Sequence, residues 1–235
     1  MDVRPFHFKH FSLFHHRSTM KVGTDAVLLG RWVEVCPEDV CLDIGTGCGI
    51  LPLMLAQKGV ARFDAVDLDA DSVAEAGENF AASQWRDRLQ VYQSDIRAFE
   101  PNRSYDLIVS NPPFFINSFK SERKRKNLAR HTDDSLSFEE LCKTAKRLLK
   151  PEGRFALVLP YAGTDDFIAI AERHGLYLHK QMDIIPVEGK EPNRVNLEMR
   201  LVPKTSPEKE CFIIRGLDDR LTEQYRLFLK DYYLG

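Results

Sequence analysis

The sequence lacks the features that mark secreted, metal-bound or membrane-embedded chains. Its five cysteines are scattered, odd in number and never form a Cys-X-X-Cys pair, which argues against a disulfide framework or a zinc knuckle and for a reducing compartment. No apolar run approaches the roughly 18 residues that a membrane span needs. The N-terminal stretch is aromatic and basic, without the apolar core of a signal peptide. We therefore expect a cytoplasmic protein that binds neither a membrane nor a metal.

The chain also lacks an excess of charge of one sign. Its 33 basic and 35 acidic residues give a formal net charge of −2 at pH 7, so any affinity for the phosphates of a nucleic acid must come from a local patch. The 235 residues suffice for one α/β domain with a large core but not for a second full domain. Neither an internal repeat nor a low-complexity tract is present.

From Val40 onward, short apolar runs alternate with helical stretches, which is typical of βαβ units and a parallel sheet. Five such units precede two consecutive strands, at 176–185 and 194–202, and the missing helix between them predicts an antiparallel hairpin at the sheet edge. Asp71 is expected to cap the helix after the second strand. We expect one α/β domain with a seven-stranded, mostly parallel, Rossmann-like sheet. Its parts would be a lid and helix (1–35), a catalytic core (36–204) and a terminal strand and helix (205–235).

A glycine loop follows the first strand, where Asp43-Ile44 runs into Gly45-Thr46-Gly47-Cys48-Gly49 and then a helix. Glycines let a ligand approach the backbone, and the helix N-terminus offers free N–H groups. Asp67 ends the second strand twenty residues after Gly47, where a carboxylate can accept hydrogen bonds from both hydroxyls of a ribose. Asp69 is expected to be only its solvated neighbour. A tight turn without a ligand is the plain alternative, and the spacing alone serves NAD and S-adenosylmethionine alike.

Three features favour S-adenosylmethionine as the cofactor. The glycines fall as GxGxG and not as the GxGxxG of pyrophosphate-binding loops. Asp43, at the end of the first strand, suits a cationic sulfonium better than a dianionic pyrophosphate. Asp95 follows the third strand and could accept a hydrogen bond from the adenine amino group, while Ile96 could pack on the adenine ring. Together these features indicate a class I methyltransferase and not a dinucleotide dehydrogenase.

The tetrapeptide Asn111-Pro112-Pro113-Phe114 follows the fourth strand. Two prolines stiffen the backbone, leaving the Asn111 amide oxygen and the Pro112 carbonyl as acceptors at the ligand-binding edge of the sheet. Two acceptors that converge on one planar –NH₂ group hold it and align its lone pair for methyl transfer. Phe114 could stack on a flipped base, worth about 1–3 kcal/mol. A strand-ending proline turn is the alternative. The tetrapeptide does not choose between adenine, guanine and a glutamine amide.

Two basic stretches could hold RNA. Six of the eleven residues at 120–130 are basic and one is acidic, which predicts a phosphate-contacting loop beside the catalytic edge, although a merely solvated loop competes with this interpretation. The candidate RNA-binding residues are Lys120, Arg123, Lys124, Arg125, Lys126 and Arg130. The N-terminal stretch adds basic residues between phenylalanines, and the alternation from Phe6 to Phe8 predicts a strand that could be a lid over the site.

The chain resembles the bacterial tRNA(Val) adenine-N6 methyltransferases, which modify the adenine 3′ of the anticodon, adenine-37. The resemblance rests on blocks along nearly the whole chain: Phe8-Lys9-His10-Phe11, Met20-Lys21-Val22-Gly23-Thr24-Asp25, Leu28-Leu29-Gly30, the glycine loop, Asn111-Pro112-Pro113-Phe114, Ala129-Arg130-His131 and Lys230-Asp231-Tyr232-Tyr233-Leu234. It implies a class I fold, S-adenosylmethionine as donor and tRNA as partner. It also implies that Lys21, Gly23 and Thr24 lie over the methionine end of the cofactor.

Other functions compete with adenine methylation of tRNA. Ribosomal-RNA guanine and protein-glutamine methyltransferases share the tetrapeptide, but the glutamine enzymes resemble proteins with an extra N-terminal helical domain. A DNA adenine methyltransferase would need a target-reading domain, and cytosine carbon methylation a Pro-Cys nucleophile that this sequence lacks. A catalytically silent module that binds S-adenosylmethionine and chaperones RNA is a rival of another class. The intact Asn111 argues against it, because a buried polar group without a role is costly.

Overall fold

A central eight-stranded sheet organises the molecule, seen in a computed structural model that describes residues 4–59, 62–112 and 136–233. The strands are β1 (Phe6–His7), β2 (Ser12–Leu13), β3 (Val40–Ile44), β4 (Arg62–Asp67), β5 (Leu89–Gln93), β6 (Tyr105–Ser110), β7 (Leu149–Pro160), β8 (Tyr177–Val187), β9 (Arg194–Arg200) and β10 (Glu208–Arg215). The first two form a separate antiparallel ribbon. The others lie in the order β10-β8-β9-β7-β6-β3-β4-β5.

The sheet is mostly parallel, as the βαβ pattern predicts. Strand β9 runs antiparallel to both of its neighbours, β7 and β8, while every other adjacent pair is parallel. The predicted hairpin is present as β8–β9, with β9 inserted between β7 and β8, but it does not form the sheet edge, because β10 lies beyond β8. Strand β10 extends the seven predicted strands by an eighth, which pairs in parallel with β8. The arrangement is the class I methyltransferase fold.

Six helices flank the sheet in the described part of the chain: α1 (Thr24–Trp32), α2 (Ile50–Ala56), α3 (Ala70–Ala82), α4 (Phe138–Leu148), α5 (Thr164–Arg173) and α6 (Glu223–Leu229). Helix α3 is capped by Asp69, whose carboxylate accepts a hydrogen bond from the Ser72 N–H at 2.8 Å. The predicted cap, Asp71, is therefore wrong: Asp71 already lies in the first helical turn. Asp69 keeps the extended backbone that lets a side chain reach back to the free N–H groups.

Both faces of the sheet are buried. Cys41 of β3 belongs to the apolar cluster that includes residues of α1, α2, α3 and α6, whereas its neighbour Leu42 belongs to the cluster that includes residues of α4 and α5. Because alternate residues of a strand point to opposite faces, burial on both sides requires nearly continuous apolar strands. No helix in the described part of the chain is long and apolar enough to cross a membrane.

The N-terminal ribbon packs on the C-terminal end of the chain. The Phe8 ring stacks on Tyr233 with a centroid distance of 5.8 Å, and the Lys9 N–H donates to the Tyr232 carbonyl at 2.8 Å. The strand expected from Phe6 to Phe8 is present as the shorter β1, and its half-buried Phe6 and the buried Phe8 that follows pack in this aromatic cluster. The part of the N-terminal segment that lines the candidate site lies further on, at Thr19 and Met20.

Candidate active site

A cavity of about 520 Å³ opens at the carboxyl ends of β3, β4, β5 and β6. The chain order of the strands reverses between β3 and β6, so the loops after these two strands diverge and leave a crevice, where open α/β sheets bind ligands. The structure brings seven predicted site residues to this cavity. They are Gly45, Gly47, Asp67, Asp95, Ile96, Asn111 and Pro112.

The glycine loop forms an open cradle at the end of β3. Gly45 and Gly47 have positive φ angles of 74° and 54°, and a Cβ added to either would meet no other atom within 4 Å. Side chains there would be strained and would occupy the space beside the loop. The absence of Cβ atoms at these two positions therefore leaves room for a ligand against the backbone.

Asp67 is held at the rim of this cradle. One carboxylate oxygen accepts a hydrogen bond from the Gly47 N–H at 2.8 Å, and the other accepts from the Asp69 N–H at 3.0 Å. A carboxylate has about four lone-pair positions, so each oxygen can still accept a hydrogen bond from a ligand hydroxyl. The glycine loop thus orients the carboxylate that the spacing of the sequence selects for a ribose.

Asp95 and Ile96 form the adjoining wall after β5. Both Asp95 oxygens accept hydrogen bonds from the Arg97 guanidinium, at 2.6–2.9 Å. This hydrogen-bonded guanidinium lowers the pKa of the Asp95 carboxyl below its usual value. Arg97 also reaches Glu140 near the start of α4 at 3.3 Å. Asp95 is therefore a fixed, ionised acceptor beside the buried apolar side chain of Ile96.

Asp43 lies beneath the glycine loop and is fully buried. Neither of its carboxylate oxygens has a hydrogen-bond partner within the described residues, and the same holds for the hydroxyl of Thr46. Burial raises the pKa of Asp43 to about 7, because a low-dielectric environment disfavours the charged form; the nearby Thr46 hydroxyl opposes this shift without outweighing it. Unpartnered buried polar atoms are rare in folded proteins and call for an explanation. A cationic ligand above the loop would explain the buried, unpartnered Asp43, because a positive charge favours the ionised carboxylate.

Asn111 leaves β6 at the opposite side of the cavity from Asp67. Ser110 anchors this strand end, because its hydroxyl donates to the Ile44 carbonyl at 2.8 Å. The Asn111 amide oxygen is buried and accepts no hydrogen bond from any described residue, and Pro112 beside it is buried and lines the cavity. An acceptor held without a protein donor can receive one from a ligand, such as a planar amino group.

Several predicted residues are not part of the cavity wall. Lys21, Gly23 and Thr24 are exposed before and at the start of α1, whereas Thr19 and Met20 line the cavity. Gly49 packs beneath the loop instead: its φ is 82°, and a Cβ there would lie 2.5 Å from the Phe80 ring. The predictions for Pro113 and Phe114, and for the basic residues Lys120, Arg123, Lys124, Arg125, Lys126 and Arg130, lie outside the described residues.

The sequence did not identify all the residues that line the cavity. Leu68, Arg97 and Leu136 belong to it as well as Thr19 and Met20. Leu68 and Arg97 directly follow the predicted Asp67 and Ile96, so the loop positions after each strand would have been a usable signal. Met20 begins the Met20–Asp25 block of the family resemblance, whereas Thr19 carries no such signal and its N–H donates to the Ser72 hydroxyl of α3 at 3.4 Å. Within residues 4–59, 62–112 and 136–233, no group of three or more histidine, cysteine, aspartate or glutamate side chains could hold a metal ion.

Comparison with known proteins agrees with this geometry. The sequence model of the family described as "Methyltransferase small domain" matches residues 14–163. A tRNA1(Val) (adenine(37)-N6)-methyltransferase of Phocaeicola vulgatus is 45% identical over 235 residues, covering 98% of this chain and 97% of the relative. The enzyme of the same name from Parabacteroides distasonis is 41% identical, with 97% of each chain covered. This chain belongs to the tRNA1(Val) (adenine(37)-N6)-methyltransferase family. The resemblance drawn from the motifs is thereby confirmed.

Solved structures of low sequence identity share the fold. A predicted O-methyltransferase, protein Atu636 from Agrobacterium tumefaciens, aligns with a TM-score of 0.64 at 14% identity, covering 88% of this chain and 96% of that one. The glycopeptide N-methyltransferase MtfA in complex with S-adenosylmethionine aligns with a TM-score of 0.54 at 16% identity, covering 77% and 100%. Membership of the family makes this chain an S-adenosylmethionine-dependent methyltransferase. The open cradle and the unpartnered Asp43 fit that cofactor.

Proposed function

We propose that this protein transfers a methyl group from S-adenosylmethionine to the N6 amino group of adenine-37 in tRNA(Val), in the cytoplasm. One observation carries the proposal. The Asn111 amide oxygen is a buried acceptor without a partner in the described chain, and it borders the same cavity as Asp67. The names of the relatives supply the substrate, because the geometry alone accepts any planar amino group.

Different residues in and beneath the cavity would hold different parts of the methyl donor. Asp67 would accept hydrogen bonds from the ribose hydroxyls, while Asp95 and Ile96 would hold the adenine. Gly45 and Gly47 would let the amino-acid end lie against the backbone. Asp43 would stabilise the positive charge from beneath the loop. When bound, S-adenosylmethionine supplies an activated methyl group on a positively charged sulfur.

Asn111 and Pro112 would orient the target amine. The exocyclic nitrogen of adenine is a weak nucleophile, because its lone pair is delocalised into the ring. Hydrogen bonds from the –NH₂ group to the Asn111 amide oxygen and the Pro112 carbonyl would hold both hydrogens and point the lone pair towards the methyl group. We expect these residues to act by position and electrostatics, without a covalent intermediate. Phe114 would stack on the extruded base and the stiff Pro113 would fix the turn.

Binding of tRNA would rely on local charge. The net charge of −2 offers no general attraction to phosphate, so we assign phosphate contacts to the basic residues at 120–130. This segment begins six residues after Phe114, the last residue of the amine-binding tetrapeptide. The proposed base pocket and the proposed phosphate contacts would then be neighbours.

The proposal is tested by methylation of defined RNA. Purified protein with tritiated S-adenosylmethionine should label an unmodified tRNA(Val) transcript, and a transcript with guanine at position 37 should stay unlabelled. Asn111→Ala should lower kcat by about 100-fold or more while changing the Kd of S-adenosylhomocysteine by less than about threefold. The control is Asn102→Ala, at an exposed loop position, which should behave like the parent protein. Label in a protein fraction, or equal labelling of both transcripts, would refute the assignment.

A further inference from the structure

The segment at 14–20 forms one wall of the cavity without a helix or strand of its own. Its last two residues, Thr19 and Met20, line the cavity. A segment without regular structure has backbone N–H and C=O groups that need partners elsewhere. The partners of this segment, called the strap below, come from α3.

Glu75 of α3 is the main anchor of the strap. Its side chain is fully buried, and one carboxylate oxygen accepts hydrogen bonds from the N–H groups of His16 at 2.9 Å and Arg17 at 3.1 Å. The other oxygen accepts from the Ser18 N–H at 2.9 Å. Burial raises the pKa of this carboxyl, but the backbone hydrogen bonds outweigh burial and hold the pKa below its usual value. The carboxylate therefore binds three consecutive peptide groups as an ion.

Asn79 extends the anchor by one helical turn. Its amide exchanges two hydrogen bonds of 2.8 Å with the N–H and C=O of Phe14, as a neighbouring strand would. Its amide nitrogen also donates to the Cys48 carbonyl at 2.8 Å. Asn79 thus joins the strap to the glycine loop. Helix α3 begins three residues after Asp67, so one short stretch of chain carries both the rim carboxylate and the anchor of the facing wall.

A buried carboxylate is a costly way to hold a loop. Removing its charge from water is unfavourable unless hydrogen bonds compensate, and apolar side chains would bind a loop to a helix more cheaply. What the carboxylate adds is geometry. Its two oxygens fix the positions of three successive N–H groups, and hydrogen bonds to an ionised acceptor are short and directional.

We propose that Glu75 is a positioning residue for the methyl donor, holding the strap so that Thr19 and Met20 close the cavity over the bound cofactor. This inference rests on the proposed function, in which the cavity is the donor site. Without the Glu75 anchor, the glycine loop and Asn111 would keep their positions, but Thr19 and Met20 would no longer be held against the cavity. Donor binding should weaken, whereas methyl transfer from the bound donor should change little, because Asn111 directly follows β6, which is a different element from the one that holds the strap.

The test compares two glutamate-to-glutamine substitutions one turn apart on α3. Glu75→Gln keeps the size of the side chain but turns one acceptor into an amide donor that faces a backbone N–H. Glu78→Gln is the control, because Glu78 is exposed and forms an ion pair with the side chain of Arg17, not with the backbone of the strap, in the described part of the chain. For Glu75→Gln, we expect the Kd of S-adenosylhomocysteine, measured by calorimetry, to rise about 10-fold or more. The KM of S-adenosylmethionine should rise in parallel, with kcat within about threefold. Glu78→Gln should change these values by less than about twofold.

Limited proteolysis provides a second measurement, which reports the mobility of the strap in the absence of the cofactor. Trypsin cleaves after Arg17 and Lys21, so release of the strap in Glu75→Gln should accelerate cleavage there by about 10-fold in the ligand-free protein. S-adenosylhomocysteine should protect the parent protein. If Glu75→Gln does not fold, as judged by near-ultraviolet circular dichroism, Glu75→Asp replaces it. This variant keeps the charge but shortens the reach, and smaller changes of the same sign are expected.

Asp67→Ala separates the failure of this inference from failure of the proposed function. If Asp67→Ala does not weaken S-adenosylhomocysteine binding, the cavity is not the donor site and the proposed site itself is wrong. If Asp67→Ala weakens binding but Glu75→Gln leaves the Kd unchanged, the positioning role is refuted while the proposed function stands. Loss of kcat without a change in KM would also refute the positioning role.

Discussion

The buried residue Asp43 lowers the stability of the ligand-free fold and at the same time favours the binding of a cationic ligand. Its carboxylate is fully buried, accepts no hydrogen bond from the described residues and has a pKa raised to about 7. In the unfolded chain an aspartate titrates near about 3.9. Folding therefore costs free energy wherever the unfolded carboxylate is ionised, and a bound sulfonium cation would recover part of that cost.

Asp43→Asn should reveal this cost as a pH-dependent gain in stability. With the folded pKa raised, the unfavourable contribution of Asp43 to the free energy of unfolding of the parent protein is absent below about pH 4 and becomes a growing loss as the pH rises to about 7. The variant lacks this loss, so its advantage in the free energy of unfolding should grow by roughly 1–3 kcal/mol between about pH 5 and pH 8. Urea denaturation of the ligand-free proteins measures the difference. Parallel pH curves for the two proteins would contradict the assignment.

Residue types at fixed positions after strands were the predictable part of the site. Asp67, Asp95 and Asn111 each follow an apolar run at a spacing that places them at one sheet edge, and all three line the cavity. The exchange of roles between Asp69 and Asp71 was not predictable, because both residue types cap helices and the choice depends on where the backbone turns helical.

At the scale of elements, the packing of the glycine loop against α3 depends on the last glycine of the loop. Gly49 caps α2 with φ at 82°, and a Cβ there would lie 2.5 Å from the Phe80 ring and 3.3 Å from the Ala76 side chain of α3. The loop thus contains two kinds of glycine. Gly45 and Gly47 leave space open beside the cavity, while Gly49 lets the loop at the start of α2 lie against α3.

Gly49→Ala should therefore destabilise the fold more than a glycine substitution that creates strain alone. The control is Gly59→Ala, at φ of 99° with nothing within 4 Å of the added Cβ. We expect Gly59→Ala to cost about 1–2 kcal/mol of backbone strain, and Gly49→Ala roughly 2 kcal/mol more because Phe80 must move. Chemical denaturation at one pH gives both values. Equal losses would mean that the helices adjust freely to the extra methyl group.

The strap marks the limit of prediction for elements. Periodicity identified β3 to β9 and the helices between them, because each buries a regular stripe of apolar residues. Residues 14–18 have no such period, and their position depends on Glu75 and Asn79, which stand some sixty residues further along the chain. Glutamate and asparagine inside a helix normally predict a solvated face, so the sequence gives no sign that these two are buried.

At the scale of the whole molecule, the mostly parallel sheet was predictable from the sequence. The packing of the N-terminal ribbon on the C-terminal part of the chain was not. Alternating strands and helices, followed by a hairpin, determine a right-handed, doubly covered sheet with few alternatives. The contact between the N-terminal ribbon and the C-terminal part of the chain depends on individual aromatic residues and their hydrogen bonds. Tyr232 is buried in the core between β1 and α2, its hydroxyl donates to the Met54 carbonyl at 3.1 Å, and its own carbonyl accepts from Lys9.

Tyr232→Ala should loosen both ends of the chain together. Removing a buried aromatic side chain costs about 3–5 kcal/mol. In Tyr232→Ala the truncated side chain would leave a new packing void, separate from the active-site cavity, near the ribbon formed by β1 and β2. Tyr232→Phe is the matched control, since it loses only the hydrogen bond to Met54 and should cost about 1 kcal/mol. Hydrogen exchange of the amides at 6–13 should accelerate strongly in Tyr232→Ala and slightly in Tyr232→Phe, while β6 stays protected. If the exchange of the ribbon did not change in Tyr232→Ala, the N-terminal segment would be held by α3 alone, and the strap anchored by Glu75 would be independent of the C-terminal end.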